Sequence, residues 1–263
     1  MKLSIIIPSV NDPYLQATVN DIRSKAESDP EIIVVFDGVQ GKVVGAKPIY
    51  LSERKGMRNA INMGVTNSKG DYIIKTDEHC MFDSGFDVKL LKDYNDYHWV
   101  MVPRRYKLDI KKWRIFNEPP IDYDKLVVRP DKISGVYWSS RREERKNIMI
   151  DETMVFQGSF YLMSRKHWEW LGGLQEKGYG PFAQEAIEIA LKTWLGGKGK
   201  VMVNKNTWYA HKHRDFKRVA KPWSVPEGNA YSKDFWMNNR WDKAVHNWNW
   251  LMKRFGLKLN KYG

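Results

Sequence analysis

One cysteine, Cys80, is the whole thiol complement of these 263 residues, so no internal disulfide framework is possible and the chain is compatible with a reducing compartment. Its expected role is core filling. Long apolar runs are missing as well. The stretch Leu3 to Ile7 is stopped by Pro8 and followed by Asn11-Asp12, too short for a signal-peptide core or a membrane span. No other window approaches eighteen uncharged apolar residues, so the expectation is a cytoplasmic, non-secreted protein without a transmembrane segment, whose membrane contact, if any, is peripheral. Glycine-rich phosphate loops are absent too: no Gly-x-Gly-x-x-Gly follows the first strand, and no Walker-type loop occurs. Both use close backbone approach to phosphates, which argues against a dinucleotide-dependent oxidoreductase and a P-loop phosphotransferase. Acids are in the minority, 31 against 44 lysines and arginines, for a net charge of +13. Such an excess favours a polyanionic partner or an anionic membrane face, unless it serves solubility alone.

What is present is a globular composition, 42% apolar, on a chain long enough for one large α/β domain or two small ones. Leu3 to Ile7 reads as a buried strand, continuous rather than alternating, as parallel strands are. Asp12 offers an N-cap and Pro13 a first helical residue, with Leu15, Val19, Ile22 and Ala26 at helical spacing. A second strand, Glu31 to Phe36, ends at Asp37-Gly38. A helix marked by Ala60, Ile61, Met63 and Val65 follows and breaks at Asn67 to Gly70. Then comes Tyr72 to Thr76, closing on Asp77-Glu78-His79-Cys80. Strand, helix, strand, helix, strand is a doubly wound half, whose ligands lie beyond the carboxyl ends of the strands. Ser9 to Asn11, Asp37, and Asp77 to His79 all fall there.

Asp77 and His79 are two residues apart, so on an extended backbone they project to the same side. A carboxylate oxygen with an imidazole nitrogen suits Mn²⁺ or a similar cation better than Ca²⁺, and such a cation can hold a diphosphate leaving group. Without a glycine loop, that diphosphate also needs arginines such as Arg54, Arg58 or Arg214. The bland alternative for Asp77-x-His79 is a solvated strand end.

Residues 101 to 150 read as loops and short strands. Their arginines and lysines interleave with Tyr106, Trp113, Tyr137 and Trp138, a pattern that either binds a polyanion or packs half into the core. Order returns at Gly158 to Trp168, with a helix stop at Gly172-Gly173. Gln184 and Glu185 open a further helix through Trp194. There Glu185 and Glu188 gain from the helix dipole; the functional alternative is that Glu185 binds substrate hydroxyls or acts as a base. Lys200 to Val203 is a strand, and His211 beyond it is a candidate third ligand for the metal.

Taken in order, these blocks resemble the GT-A glycosyltransferases, and more narrowly the polypeptide N-acetylgalactosaminyltransferases. The residues that carry the likeness are Leu3 to Ser9, Asp37, Arg58-Asn59-Ala60 with Gly64, Asp77-Glu78-His79, Gly158 to Ser164, Gly172-Gly173, Gln184-Glu185 through Glu188, and His211 with Arg214. The resemblance implies an α/β fold, Rossmann-like, with a mostly parallel twisted sheet flanked by helices. It implies a GT-A catalytic domain over residues 1–215, with a nucleotide-sugar half at 1–100 and an acceptor half at 101–215; residues 216–263 lie outside the resemblance and read as an aromatic and basic C-terminal helical extension. It further implies a UDP-sugar donor contacted by Pro8, Ser9, Asn11, Asp37, Arg58, Asp77, Glu78, Gln184, Glu185 and Arg214. Asp77, His79 and His211 would hold Mn²⁺ or Mg²⁺, with Glu185 and Asp77 as the catalytic pair. Relatives with this arrangement are hexosyltransferases that retain anomeric configuration; bacterial enzymes of the wider superfamily invert, with a carboxylate near Glu185 as base. Phe182-Ala183-Gln184 stands where the narrower family has tryptophan-glycine-glycine, which bears on the identity of the donor sugar.

In the tail, Trp241, Val245, Trp248, Met252 and Phe255 recur at three- and four-residue steps and predict one amphipathic helix. It either docks on the catalytic domain, lines an acceptor groove, or lies on a membrane interface. Charge and aromatic content together lead to DNA as the expected acceptor, specifically hydroxymethylated bases in viral duplexes. The alternatives are a polysaccharide, lipid-linked or protein acceptor, and a non-catalytic sugar- or nucleic-acid-binding module.

Overall fold

In the computed structural model, which describes residues 2–212 and 225–258, the apolar runs of the first hundred residues become the centre of a ten-stranded sheet. Its parallel half is β1 (Leu3–Ser9), α1 (Leu15–Lys25), β2 (Glu31–Phe36), β3 (Lys47–Tyr50), α2 (Met57–Thr66) and β4 (Tyr72–Thr76). There β1 lies between β2 and β4, and β3 pairs the outer side of β2. The central strands β1, β2 and β4 are mostly apolar because both faces are covered. Ile5 and Ile7 pack with Val19 and Ile22 of α1, while Ile6 on the opposite face packs with Ala60 and Ile61 of α2. Each fully buried isoleucine stabilises the fold by about 1.5–3 kcal/mol.

The remainder runs β5 (Cys80–Phe82), α3 (Phe86–Lys92), β6 (Trp99–Asp109), β7 (Arg114–Ile115), β8 (Asp124–Val128), β9 (Ile133–Tyr137), α4 (Ser139–Glu144), β10 (Ile150–Glu152), β11 (Phe160–Ser164), α5 (Arg165–Leu171), α6 (Glu185–Leu195), β12 (Lys200–Lys212), α7 (Val225–Met237) and α8 (Trp248–Arg254). The strand order is β10-β12-β6-β11-β4-β1-β2-β3, with β5 on β12, β7 on β6, and β8-β9 as a separate two-stranded sheet. β11 is antiparallel to both β4 and β6, and β12 is parallel to β6. The carboxyl ends of β1, β2, β4, β6 and β12 therefore share one edge. The fold is the expected one, a mixed α/β sheet flanked by helices.

Several local expectations need correction. α1 begins at Leu15 rather than on an Asp12 cap, because the Asp12 carboxylate accepts from the Tyr14 backbone N–H at 2.9 Å, forming a turn ahead of the helix. Residues 101 to 150 hold the long strand β6 and the β8-β9 hairpin. Their arginines largely face inward onto carboxylates: Arg104 bonds both oxygens of Asp122 at 2.7 and 2.9 Å, Arg145 bonds Asp151, and Arg105 lies 3.5 Å from Asp124. Trp138 is buried beneath Arg141, so much of the anticipated basic and aromatic surface is interior structure. Of the helix expected over Trp241 to Phe255 only α8 forms, and among the described residues of the tail α7 precedes it. Residues 241–247 are not helical, and Val245 is exposed because the chain there hydrogen-bonds the Leu195 carbonyl instead of presenting a helical face. Trp236, Trp248, Leu251 and Phe255 nevertheless pack into the same core as Ile189 and Trp194 of α6, with Phe255 against Trp194. Among the described residues no helix is long and apolar enough to cross a membrane.

Candidate active site

The shared sheet edge draws together residues far apart in sequence. Asp77 follows β4, and His211 is the penultimate residue of β12. β5 pairs antiparallel with β12 in the register Cys80 to His211, which sets His79 beside the end of β12. Asp77-Glu78-His79 is a bend between β4 and β5, not extended strand, so simple alternation does not aim the two side chains; the β5–β12 pairing does. The result is a cluster whose ligand atoms all lie within 4.8 Å of one another. His79 Nε2 and His211 Nε2 are 3.1 Å apart, and His211 Nε2 is 3.2 Å from Asp77 Oδ2. Adjacent ligands at about 2.1 Å from an octahedral cation lie about 3 Å from each other. The spacing and the donor set, one carboxylate with two imidazoles, fit a single divalent ion of the Mn²⁺ type.

Electrostatics agree with that fit. Burial would raise the Asp77 carboxyl, but the Lys75 ammonium and the two histidines hold it far below the usual carboxylate range. Burial pushes His211 down to about 4 against the pull of Asp77, so its ring is neutral at pH 7 and has a lone pair to offer. His79 is steered from behind: Asp12 Oδ2 lies 3.4 Å from its Nδ1, the carboxylate-imidazole arrangement that leaves Nε2 toward a metal. This use of Asp12 had no sequence signal apart from its position near the end of β1.

Beneath the cluster, Lys75 Nζ donates to Asp77 Oδ1 and to the Gly158 carbonyl, both at 2.6 Å, and lies 3.5 Å from Glu185 Oε2. Glu185, the first residue of α6, is buried, and burial raises its carboxyl above the ordinary range. Space at Gly158 is tight, since a Cβ there would sit 2.8 Å from Glu185 Oε2. The sequence reading missed Lys75. Its signal was a lysine inside an otherwise apolar strand, two residues before Asp77.

Other anticipated contacts are already engaged. Arg58 cannot reach a diphosphate: its side chain is fully buried, bonded to Glu188, to the Ala183 carbonyl at 2.6 Å and to the Gln175 carbonyl at 2.8 Å, with Tyr179 stacked on it. Asp37 accepts from the Lys55 and Gly56 backbone N–H groups at 2.7 and 2.9 Å, so it organises the loop leading into α2. Glu78 turns to the end of β1, bonded to the Ser9 hydroxyl and to the backbone N–H groups of Val10 and Asp12, and burial pushes it up to about 7. Ser9 also accepts from the Asn11 N–H, Asn11 being an exposed residue in the left-handed region at φ 65°. Pro8 is half-buried within β1. Gln184, itself left-handed at φ 60°, donates to Asn229 of α7. Arg214 lies outside the described residues.

Comparison with known proteins puts this edge in context. The model for glycosyl transferase family 2 matches residues 4–171, a span that contains Asp12, Lys75, Asp77 and His79 and stops short of Glu185 and His211. No curated protein matches the chain by sequence. Among solved structures, GalNAc-T7 with UDP, GalNAc and Mn²⁺ superposes with a TM-score of 0.71 at 17% identity, over 97% of this chain and 50% of that one. The mannosyltransferase PcManGT from Pyrobaculum calidifontis, in complex with GDP-Man and Mn²⁺, gives 0.60 at 14% identity, over 92% and 65%. S. aureus TarS 1-349 with UDP-GlcNAc gives 0.54 at 13%, over 84% and 62%. At these identities the likeness is one of fold, and this chain spans half to two thirds of the length of those proteins.

Proposed function

Because the chain belongs to glycosyl transferase family 2, we propose that it moves a sugar from a UDP-sugar to a hydroxyl acceptor, with Mn²⁺ or Mg²⁺ held by Asp77, His79 and His211. The observation that carries this reading is the spacing of 3.1 and 3.2 Å among three ligand atoms at the carboxyl edge of the sheet. When bound, the cation supplies positive charge to the departing diphosphate. The protein's own groups do the rest. Asp77 presents Oδ2, His211 offers a neutral nitrogen, and Asp12 fixes the His79 ring. Asp37 orders the loop at 55–56, beside which the nucleotide would lie, and Glu185 meets the hydroxyls of the donor sugar from the start of α6. The test is a panel of nucleotide sugars screened for Mn²⁺-dependent thermal stabilisation and hydrolysis; a flat response across the panel would reject catalysis in favour of a binding module. Within the same scheme, Asp12→Asn is expected to weaken Mn²⁺ binding by about 10- to 100-fold in an EPR titration, since it removes the anion that orients a ligand imidazole.

For the acceptor, the reading is a polyanion, and specifically hydroxymethylated bases in duplex DNA. Two features support it: the net charge of +13 and the β6-β7 hairpin. Leu108 of this hairpin is in register with Lys212, next to His211; its far end exposes Lys111, Lys112 and Arg114, and Phe116 is exposed just beyond β7. Lysine and arginine suit phosphates, and an exposed ring suits an unstacked base. Turnover on modified duplex DNA is expected to fall steeply with added salt. Replacing Lys111, Lys112 and Arg114 by glutamate is expected to lower it further and to flatten the logarithmic salt slope by up to about three. Absence of DNA binding at low salt would reject this acceptor, and sedimentation with anionic liposomes instead would favour a lipid-linked one.

A further inference from the structure

Lys75 lies beside the candidate metal ligands without being one of them. It is the fourth residue of β4, all five of whose positions are buried, and its side chain is 1% exposed. An ammonium survives such burial only where oxygens replace its water. Here three oxygens do so, and they come from three separate elements: Asp77 beyond β4, Gly158 ahead of β11, and Glu185 opening α6. Strand alternation explains the direction, since Ile73 and Lys75 share the face of β4 that packs under α6, where Tyr161 is the cross-strand partner of Lys75.

The Asp77 carboxylate is thereby divided. Oδ1 is taken by Lys75 at 2.6 Å, and Oδ2 faces His211 at 3.2 Å. A cation at the histidines meets one oxygen of Asp77, not both. The same ammonium reaches Glu185 at 3.5 Å, so the metal end and the α6 end of the cleft are braced by one side chain.

We propose that Lys75 is a positioning residue that restricts Asp77 to single-oxygen coordination and holds Glu185 at a set distance from it. This rests on Asp77, His79 and His211 forming a divalent-metal site. The test compares Lys75→Gln and Lys75→Met with the unaltered protein, reading Mn²⁺ binding by EPR without donor, melting without metal, and steady-state kinetics at saturating Mn²⁺. The expected result is one Mn²⁺ bound as tightly as in the unaltered protein, or up to about tenfold tighter, because a nearby positive charge is gone. The Mn²⁺ spectrum should broaden as Asp77 becomes free to offer both oxygens. Together with this, kcat should fall on the order of a hundredfold and the KM for donor should move far less, as when reacting groups are misplaced by about an ångström. Should the methionine variant not fold, the glutamine variant, which keeps a donor, carries the comparison. Unchanged kcat at saturating Mn²⁺, or Mn²⁺ affinity that drops in step with kcat, would overturn the proposal and leave Lys75 as a neutraliser of buried carboxylates. If the unaltered protein binds no Mn²⁺, it is the metal-site reading that fails, and this inference goes with it.

Discussion

Asp77→Asn and His211→Ala are each expected to abolish Mn²⁺-dependent turnover of the nucleotide sugar, by on the order of a thousandfold. A metal's stabilisation of developing charge is worth several kcal/mol, and about 1.4 kcal/mol corresponds to tenfold in rate. Neither substitution touches the apolar core, so both variants should fold. What they should lose is the response to the ion. Mn²⁺ at a hundred times its dissociation constant stabilises a native protein by about 2.7 kcal/mol, roughly 5–10 °C in melting temperature for a chain of this size. That increment should be present in the unaltered protein and absent from both variants; metal-free His211→Ala should melt close to the unaltered protein, whereas metal-free Asp77→Asn should also melt lower, because it takes the charge from the carboxylate that pairs with buried Lys75. A variant that keeps both the Mn²⁺ increment and the turnover would remove its residue from the site.

Arg58→Met is expected to have the largest effect on stability, about 3–5 kcal/mol, because it leaves a buried carboxylate short of its partner. Glu188 is fully buried and is held by Arg58, by Lys192 Nζ at 2.7 Å and by the Gln175 N–H at 3.0 Å. Removing Arg58 also orphans the carbonyls of Ala183 and Gln175, which shape the loop leading into Glu185. Denaturant melts should show the loss with an unchanged m-value. Replacing Arg58 and Glu188 together, by Met and Leu, should recover part of the loss, because the cost lies in the unpaired charge rather than in the pair. If Arg58→Met were as stable as the unaltered protein and lost donor affinity alone, the side chain would have to reach the diphosphate after all.

Arg58 also shows where sequence reasoning stops. An arginine next to a helix start, in a chain short of phosphate-binding loops, has the chemistry of a diphosphate ligand, and nothing in its neighbours says otherwise. Its true partner is Glu188, 130 residues away. The same holds for Asp12, whose local pattern reads as a helix cap while its carboxylate faces His79 across the sheet edge. The tail misled for a different reason. Trp248, Met252 and Phe255 do line one buried face, but the period was extended to Trp241 and Val245, which belong to an irregular turn.

What the sequence determined by itself was the parallel half of the sheet, the edge along which polar residues gather, and the candidacy of Asp77, His79 and His211 as metal ligands. Those features are local: apolar runs set strands, helical spacing sets the crossovers between them, and right-handed crossovers bring the strand ends to one side. The tertiary structure alone decided that the β5–β12 register sets His211 3.1 Å from His79 and 3.2 Å from Asp77, that Lys75 reaches both Asp77 and Glu185, and that Arg58 is sealed in the interior. Each of these depends on strands and helices distant in the chain meeting in a particular register, and a contact of that kind leaves no periodicity in the sequence on either side of it.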